Sequence, residues 1–215
     1  MKYNVLAWVS LAIVLCNLYL LGTGRLPAMI KGVAAQGALL SILPLLLPNP
    51  TYKAHIFILV VLSAVVKGGL IPAFLFKAIR NVRSAEDKDT VVGYSLSVFF
   101  GILAAAFSFY VLRKVPFSSV VISPFHASTA IMTAFIGLFL IITRRNVVAQ
   151  IIGYLVFENA GFILGISVAA FQPLFVEMGV LLDILVAVFI MVAAVSYVHT
   201  EHDTISIRSL ERLTQ

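Results

Sequence analysis

Thr143–Gly165 reads TRRNVVAQIIGYLVFENAGFILG. Two arginines and an asparagine open it, and an apolar run of about twenty residues follows, long enough to span the hydrocarbon core of a bilayer as a helix. In the middle of that run stand one acid, Glu158, and one amide, Asn159. A carboxylate halfway through a span costs roughly 2.5–3.5 kcal/mol on insertion scales, and intramembrane acids mark ion pathways by default. Glu158 therefore needs partners, and the rest of the chain has to supply them.

Of 215 residues, 61% are hydrophobic and 11% charged, with a mean hydropathy of +1.08. Soluble domains sit nearer half apolar and a quarter charged. The composition predicts an all-α polytopic membrane protein. Seven runs have spanning length: Tyr3–Gly22, Met29–Leu47, Ala54–Phe76, Val91–Leu112, Pro124–Thr143, Val147–Ala170 and Leu174–Val198. Lys2 ahead of the first run resembles a signal peptide, but the run exceeds a signal core and no small-x-small cleavage site follows, so it is read as a helix. Residues 1–198 are thus expected to form one seven-helix transmembrane domain, and 199–215 a short tail.

The net charge of +6 does not point to nucleic acid, because the basic residues fall mostly in short loops. One side of the expected membrane carries four: Lys2, Lys53, Arg113 and Lys114. The other carries ten: Arg25, Lys31, Lys77, Arg80, Arg83, Lys88, Arg144, Arg145, Arg208 and Arg212. The positive-inside rule puts the second set in the cytoplasm, with the N-terminus outside and the C-terminus inside. A lone cysteine, Cys16, allows no intrachain disulfide and suggests no metal site. The chain lacks a Walker A loop, paired histidines suited to haem, and a soluble portion for a Ser/His/Asp constellation. No catalytic centre is expected here, and the energy must come from an ion gradient or partner subunits.

Two prolines, Pro44 and Pro72, interrupt spans, and Gly68 and Gly69 precede the second, so the third helix is expected to break there. Such breaks either line polar paths or serve as packing kinks. Gly161 and Gly165 form a small-xxx-small pair suited to close helix packing. The mixed-charge connector Ala78–Asp89 reads as a solvated loop.

Three ionisable groups lie deep in separate runs: Lys67, Glu158 and Asp183. At roughly 1.5 Å per residue each sits about 14–20 Å from an end of its helix, near the midplane. A lone charge in hydrocarbon tends to neutralise, whereas a lysine between carboxylates keeps charge in the membrane. Such chains form proton relays, and these three residues are the expected pathway. The alternative is a fixed ion pair that only sets helix packing. Glu177 and His126, at outer helix ends, and Asn159 are further candidates. Asn159, next to Glu158, is expected to point about 100° away from it. Ser63 and Thr133 are placed to extend a wet path.

The segment RRNVVAQIIGYLVFENAGF resembles the second helix of subunit K of respiratory complex I through Arg144, Arg145, Asn146, Gly153, Asn159 and Ala160. That family's acid sits two residues after the glycine, where this chain has Leu155; here the acid is Glu158, one turn later on the same face. The displaced acid, in a Gly-Tyr-x-x-x-Glu-Asn pattern, is similar to hydrogenase-4 component E, the longer relative in formate hydrogenlyase and other group 4 [NiFe] hydrogenase complexes. Length, the helix VEMGVLLDILVAVFIMV with Glu177 and Asp183, the tail ending in Leu210 and Leu213, and the Lys67-x4-Pro72 spacing agree with component E. The strongest resemblance covers 143–198.

The resemblance implies a multi-pass subunit of the inner (cytoplasmic) cell membrane, packed between antiporter-like subunits and the membrane foot of a hydrogenase module. The [NiFe] centre and Fe–S clusters would lie on partner subunits, with no cofactor on this chain. Glu158, Asp183 and Lys67 would be links in a horizontal chain of charges coupled to redox chemistry. The alternatives are the small subunit of a multisubunit cation/proton antiporter and a purely structural membrane scaffold.

Overall fold

A computed structural model of the chain describes residues 2–46, 53–80, 90–114 and 124–168. They form α1 (Lys2–Gly22), α2 (Leu26–Ile42) running into a 3-10 turn (Leu43–Leu46), α3 (Lys53–Val65), a π turn (Val66–Leu70), α4 (Ile71–Arg80), α5 (Tyr94–Lys114), α6 (Pro124–Thr143) and α7 (Val147–Val168). No strand occurs among the described residues. With α3, the π turn and α4 taken as one crossing, six helices among the described residues are long and apolar enough to cross a membrane. The seventh expected run, Leu174–Val198, and the tail lie outside the described residues, as do Asp183 and Glu177.

The prolines act through their missing N–H and the bulk of their rings. Pro27 sits in the first turn of α2, where an N–H has no intrahelical acceptor, while the Arg25 carbonyl accepts from Ala28 and Met29 at 2.9 and 3.0 Å. Pro44, in an α turn, would press its ring on the Leu40 carbonyl; the helix tightens instead, and Leu43 N–H donates to Leu40 O. Pro72 would meet the Gly68 carbonyl in the same way. There the helix widens, and Ile71 N–H reaches back five residues to Val66 O.

Helices α6 and α7 form the tightest pair. A Cβ added to Gly137 would lie 2.5 Å from Phe157 N, and one on Gly153 would lie 2.9 Å from Ile141 N and 3.1 Å from Gly137 O. The two backbones touch where neither glycine has a side chain. Gly161, by contrast, is exposed among the described residues, and a Cβ there meets none of their atoms within 4 Å. The short α6–α7 connection is closed by Asn146, whose Oδ1 caps α7 by accepting from Val148 N–H at 2.9 Å.

Helices α1 and α6 run side by side in the same direction. Ser10 bonds His126 and Asn17 bonds Thr133, and both pairs are 116 residues apart. A constant offset means parallel helices, as the first and fifth of a series of alternating crossings must be.

The turn after α6 is tied to the end of α1. Arg144 is only 2% exposed. Its guanidinium donates to the carbonyls of Leu21 at 3.1 Å and Thr23 at 3.4 Å and lies 4.9 Å above the Tyr94 ring. It thereby satisfies carbonyls that a helix C-terminus leaves open and meets the negative end of the helix dipole. The arginine read as a topology signal is thus a buried clamp joining α1, α5 and the α6–α7 turn. Val91 N–H donating to Thr143 O at 3.0 Å closes the same end.

The main core is built from Leu20, Leu26, Met29, Ile30, Leu75, Met132, Ile136, Leu140, Ile152 and Val156 with their neighbours. The outer face of α5 is the reverse: Leu96, Phe99, Ile102, Leu103, Phe107 and Tyr110 are each more than half exposed. An apolar face of this kind suits hydrocarbon and not water.

Candidate functional site

Lys67 is the second residue of the π turn. Its ammonium reaches across to α7, where Nζ donates to Asn159 Oδ1 at 3.0 Å and stands 3.9 Å from Glu158 Oε1. The ring of Phe162, one turn farther along α7, lies 4.9 Å below the same nitrogen and adds a cation–π contact. The side chains of Lys67 and Glu158 are 6% and 5% exposed.

Gly37 of α2 makes the site possible. A Cβ at Gly37 would lie 2.7 Å from Lys67 Cβ, so the bare backbone of α2 is what lets the π turn come close enough for Lys67 to reach α7. A small cavity of about 10 Å³ lies here, bordered by Gly37, Lys67, Ile71, Leu155, Glu158 and Asn159. That is room for about one water.

The ammonium has a charged partner and a neutral one on successive residues of α7. At 3.9 Å two unit charges attract by roughly 4 kcal/mol at an effective dielectric near 20. Desolvation of both groups offsets much of that. The contact with Glu158 is longer than a hydrogen bond, whereas the one with Asn159 is a hydrogen bond. Asn159 is uncharged and does not titrate, so it keeps a seat for the ammonium whatever the charge on Glu158. The 100° between Glu158 and Asn159 on the helix does not keep them from sharing one partner. The lysine is long enough to sit between two successive residues of α7 and touch both.

Of the residues singled out from sequence, Lys67, Glu158 and Asn159 come together. Asp183 and Glu177 fall outside the described residues. His126, in the first turn of α6, is buried at 4% exposure and hydrogen-bonds Ser10 through Nδ1. Ser63 accepts from Ser41 Oγ at 3.3 Å, and Thr133 accepts from Asn17 at 2.8 Å. Sequence reading passed over Gly37, Phe162, Asn17 and Gln36. The last two are uncharged amides inside apolar runs, and their rarity there was the available signal.

No family model matches the chain, and no solved structure matches it. Among curated proteins it is similar to the hydrogenase-4 component E of Escherichia coli K12, of Escherichia coli O157:H7 and of Shigella flexneri. In each case it is 24% identical over 144 residues, which is 67% of this chain and 67% of the relative. The likeness supports a distant relation to the hydrogenase-4 component E family.

Proposed function

We propose that this chain is a membrane subunit of a group 4 [NiFe] hydrogenase-type complex, and that Lys67, Glu158 and Asn159 form a link in its proton pathway. The observation that carries the reading is the buried contact of an ammonium with a carboxylate and an amide, deep within helices apolar enough to span a bilayer. The distant relation to hydrogenase-4 component E supports the type of complex. Asp183 is proposed as the next carboxylate of the path, with Glu177 and His126 as outer members. Antiporter-like subunits and the foot of a hydrogenase module are the proposed neighbours in the inner membrane. The [NiFe] centre and Fe–S clusters would belong to those partners.

The chemistry is a charge exchange. With Glu158 ionised, the lysine is held by both the carboxylate and Asn159. A proton arriving on the Glu158 carboxylate removes the charge attraction and leaves the hydrogen bond to Asn159 in place. The pair thereby converts the arrival of a proton into a change in the hold on Lys67, and a charge displaced in this way is felt by the next ionisable group.

The test is Glu158→Gln in membranes containing the assembled complex. Redox-driven proton translocation should be lost while the partners still co-purify. Normal translocation with a normal complement of partners would mean that the pair is a packing element and the reading is wrong. The identity of the co-purified chains decides the complex: a [NiFe]-type large subunit is expected, and antiporter subunits alone would move the assignment to a cation/proton antiporter.

A further inference from the structure

A second polar line lies in the bundle, made wholly of uncharged or neutral-capable groups. Ser10 and His126 bond across α1 and α6. One heptad farther along both helices, Asn17 Nδ2 donates to Thr133 Oγ1 at 2.8 Å, and Thr133 donates to Thr129 O at 2.7 Å. Gln36 Nε2 of α2 donates to Asn17 Oδ1 at 3.1 Å. Ser10, Asn17, Gln36 and Thr133 have no exposed surface. Every hydrogen bond of the central part points the same way, from Gln36 through Asn17 to Thr133 and a carbonyl. The line therefore begins with an open acceptor. That acceptor is Gln36 Oε1, which is buried and has no hydrogen-bond partner among the described residues. The next residue, Gly37, packs on Lys67 and borders the cavity shared by Lys67, Glu158 and Asn159.

We propose that Gln36 Oε1 seats a buried water, and that this water serves the neighbouring Lys67–Glu158 site as a proton carrier. The proposal rests on the function proposed above for that site. Buried polar atoms are almost always paired, and ordered water is the usual partner where no side chain serves. An amide carries an acceptor and donors but no titratable proton, so Gln36 positions the carrier and is not the carrier. A proton enters and leaves on the water oxygen, one O–H bond forming for each that breaks, and ends on the Glu158 carboxylate. Gln36 and Asn17 are positioning residues.

The experiment compares Gln36→Met, Gln36→Glu and Glu158→Gln in membranes holding the assembled complex, with proton translocation and partner recovery both measured. Gln36→Met keeps the bulk and removes the acceptor; it is expected to assemble normally and lose translocation. Gln36→Glu restores an acceptor oxygen and is expected to recover it, an outcome that a packing role does not require. Wild-type translocation in Gln36→Met overturns the proposal. If Gln36→Met fails to assemble, a cryo-EM map of the wild-type complex that shows ordered water decides: density within hydrogen-bond reach of Gln36 Oε1 supports the seat, and its absence overturns it. If Glu158→Gln translocates normally, the function proposed for the site has failed, and the water density alone decides the seat.

Discussion

Replacing Gly37 by alanine adds a single methyl group at the tightest point of the candidate site. The new Cβ would stand 2.7 Å from Lys67 Cβ, whereas carbon atoms pack at about 3.5–4.0 Å. The π turn and α2 must then part by about 0.8 Å or more, because both atoms are fixed to backbone. A separation of that size carries Lys67 Nζ away from Asn159 Oδ1, now 3.0 Å distant, to beyond hydrogen-bond range. Overpacking of this kind costs about 1–3 kcal/mol, and the charge-assisted bond is worth about 1.5–3 kcal/mol. The expected result is a complex that still assembles, unfolds at a lower temperature in nanodiscs, and translocates protons poorly. Gly161→Ala is the matched control, since among the described residues a Cβ there meets nothing within 4 Å, and it should leave both measurements unchanged. If Gly37→Ala behaved like Gly161→Ala in both, the close approach of α2 would not be what sets the position of Lys67, and the geometry described for the site would be wrong.

Arg144→Lys keeps the charge but loses the planar guanidinium whose Nη2 reaches Leu21 O and Thr23 O while its face lies over Tyr94, so thermal unfolding should show a loss of about 1.5–3 kcal/mol. Arg145→Lys, at an exposed position, should change stability by less than about 0.5 kcal/mol. Pro72→Ala supplies the missing N–H and removes the ring, which allows the π turn to relax to α and rotates α4 by about 100° relative to α3. A cysteine placed at Leu75, fully buried in the wild type, should then become reactive to a membrane-permeant maleimide; unchanged protection would show that Pro72 does not hold the wide turn.

The helical spans and the depth of Lys67 and Glu158 were legible because each is a property of one stretch of chain: run length, hydropathy and distance from a helix end. What was not legible depends on two stretches at once. Gly161 and Gly165 carry the familiar spacing, yet the contact between α6 and α7 is made by Gly137 and Gly153, because packing is decided by what the facing helix presents. Asn159 is a candidate from sequence, but that it shares the lysine with Glu158 depends on the reach of the side chain opposite. Arg144 was read by its charge and its loop, and its burial depends on where α1 ends. Asn17 and Gln36 are marked by their rarity in apolar runs, but what each amide bonds is set by another helix.

The parallel pairing of α1 with α6 also sets a schedule for biogenesis. Ser10 and Asn17 meet His126 and Thr133 across 116 residues of chain. At a synthesis rate of 5–20 residues per second, that distance takes roughly 6–23 s to translate. During this interval Ser10 has no partner on α6 yet, and Asn17 has only Gln36 of α2. The α6–α7 hairpin closes as soon as it emerges, so the bundle is completed from its C-terminal half back to its first helix. Retention of α1 beside the translocon or an insertase until α6 arrives is the step at which assembly of this protein is most exposed to failure.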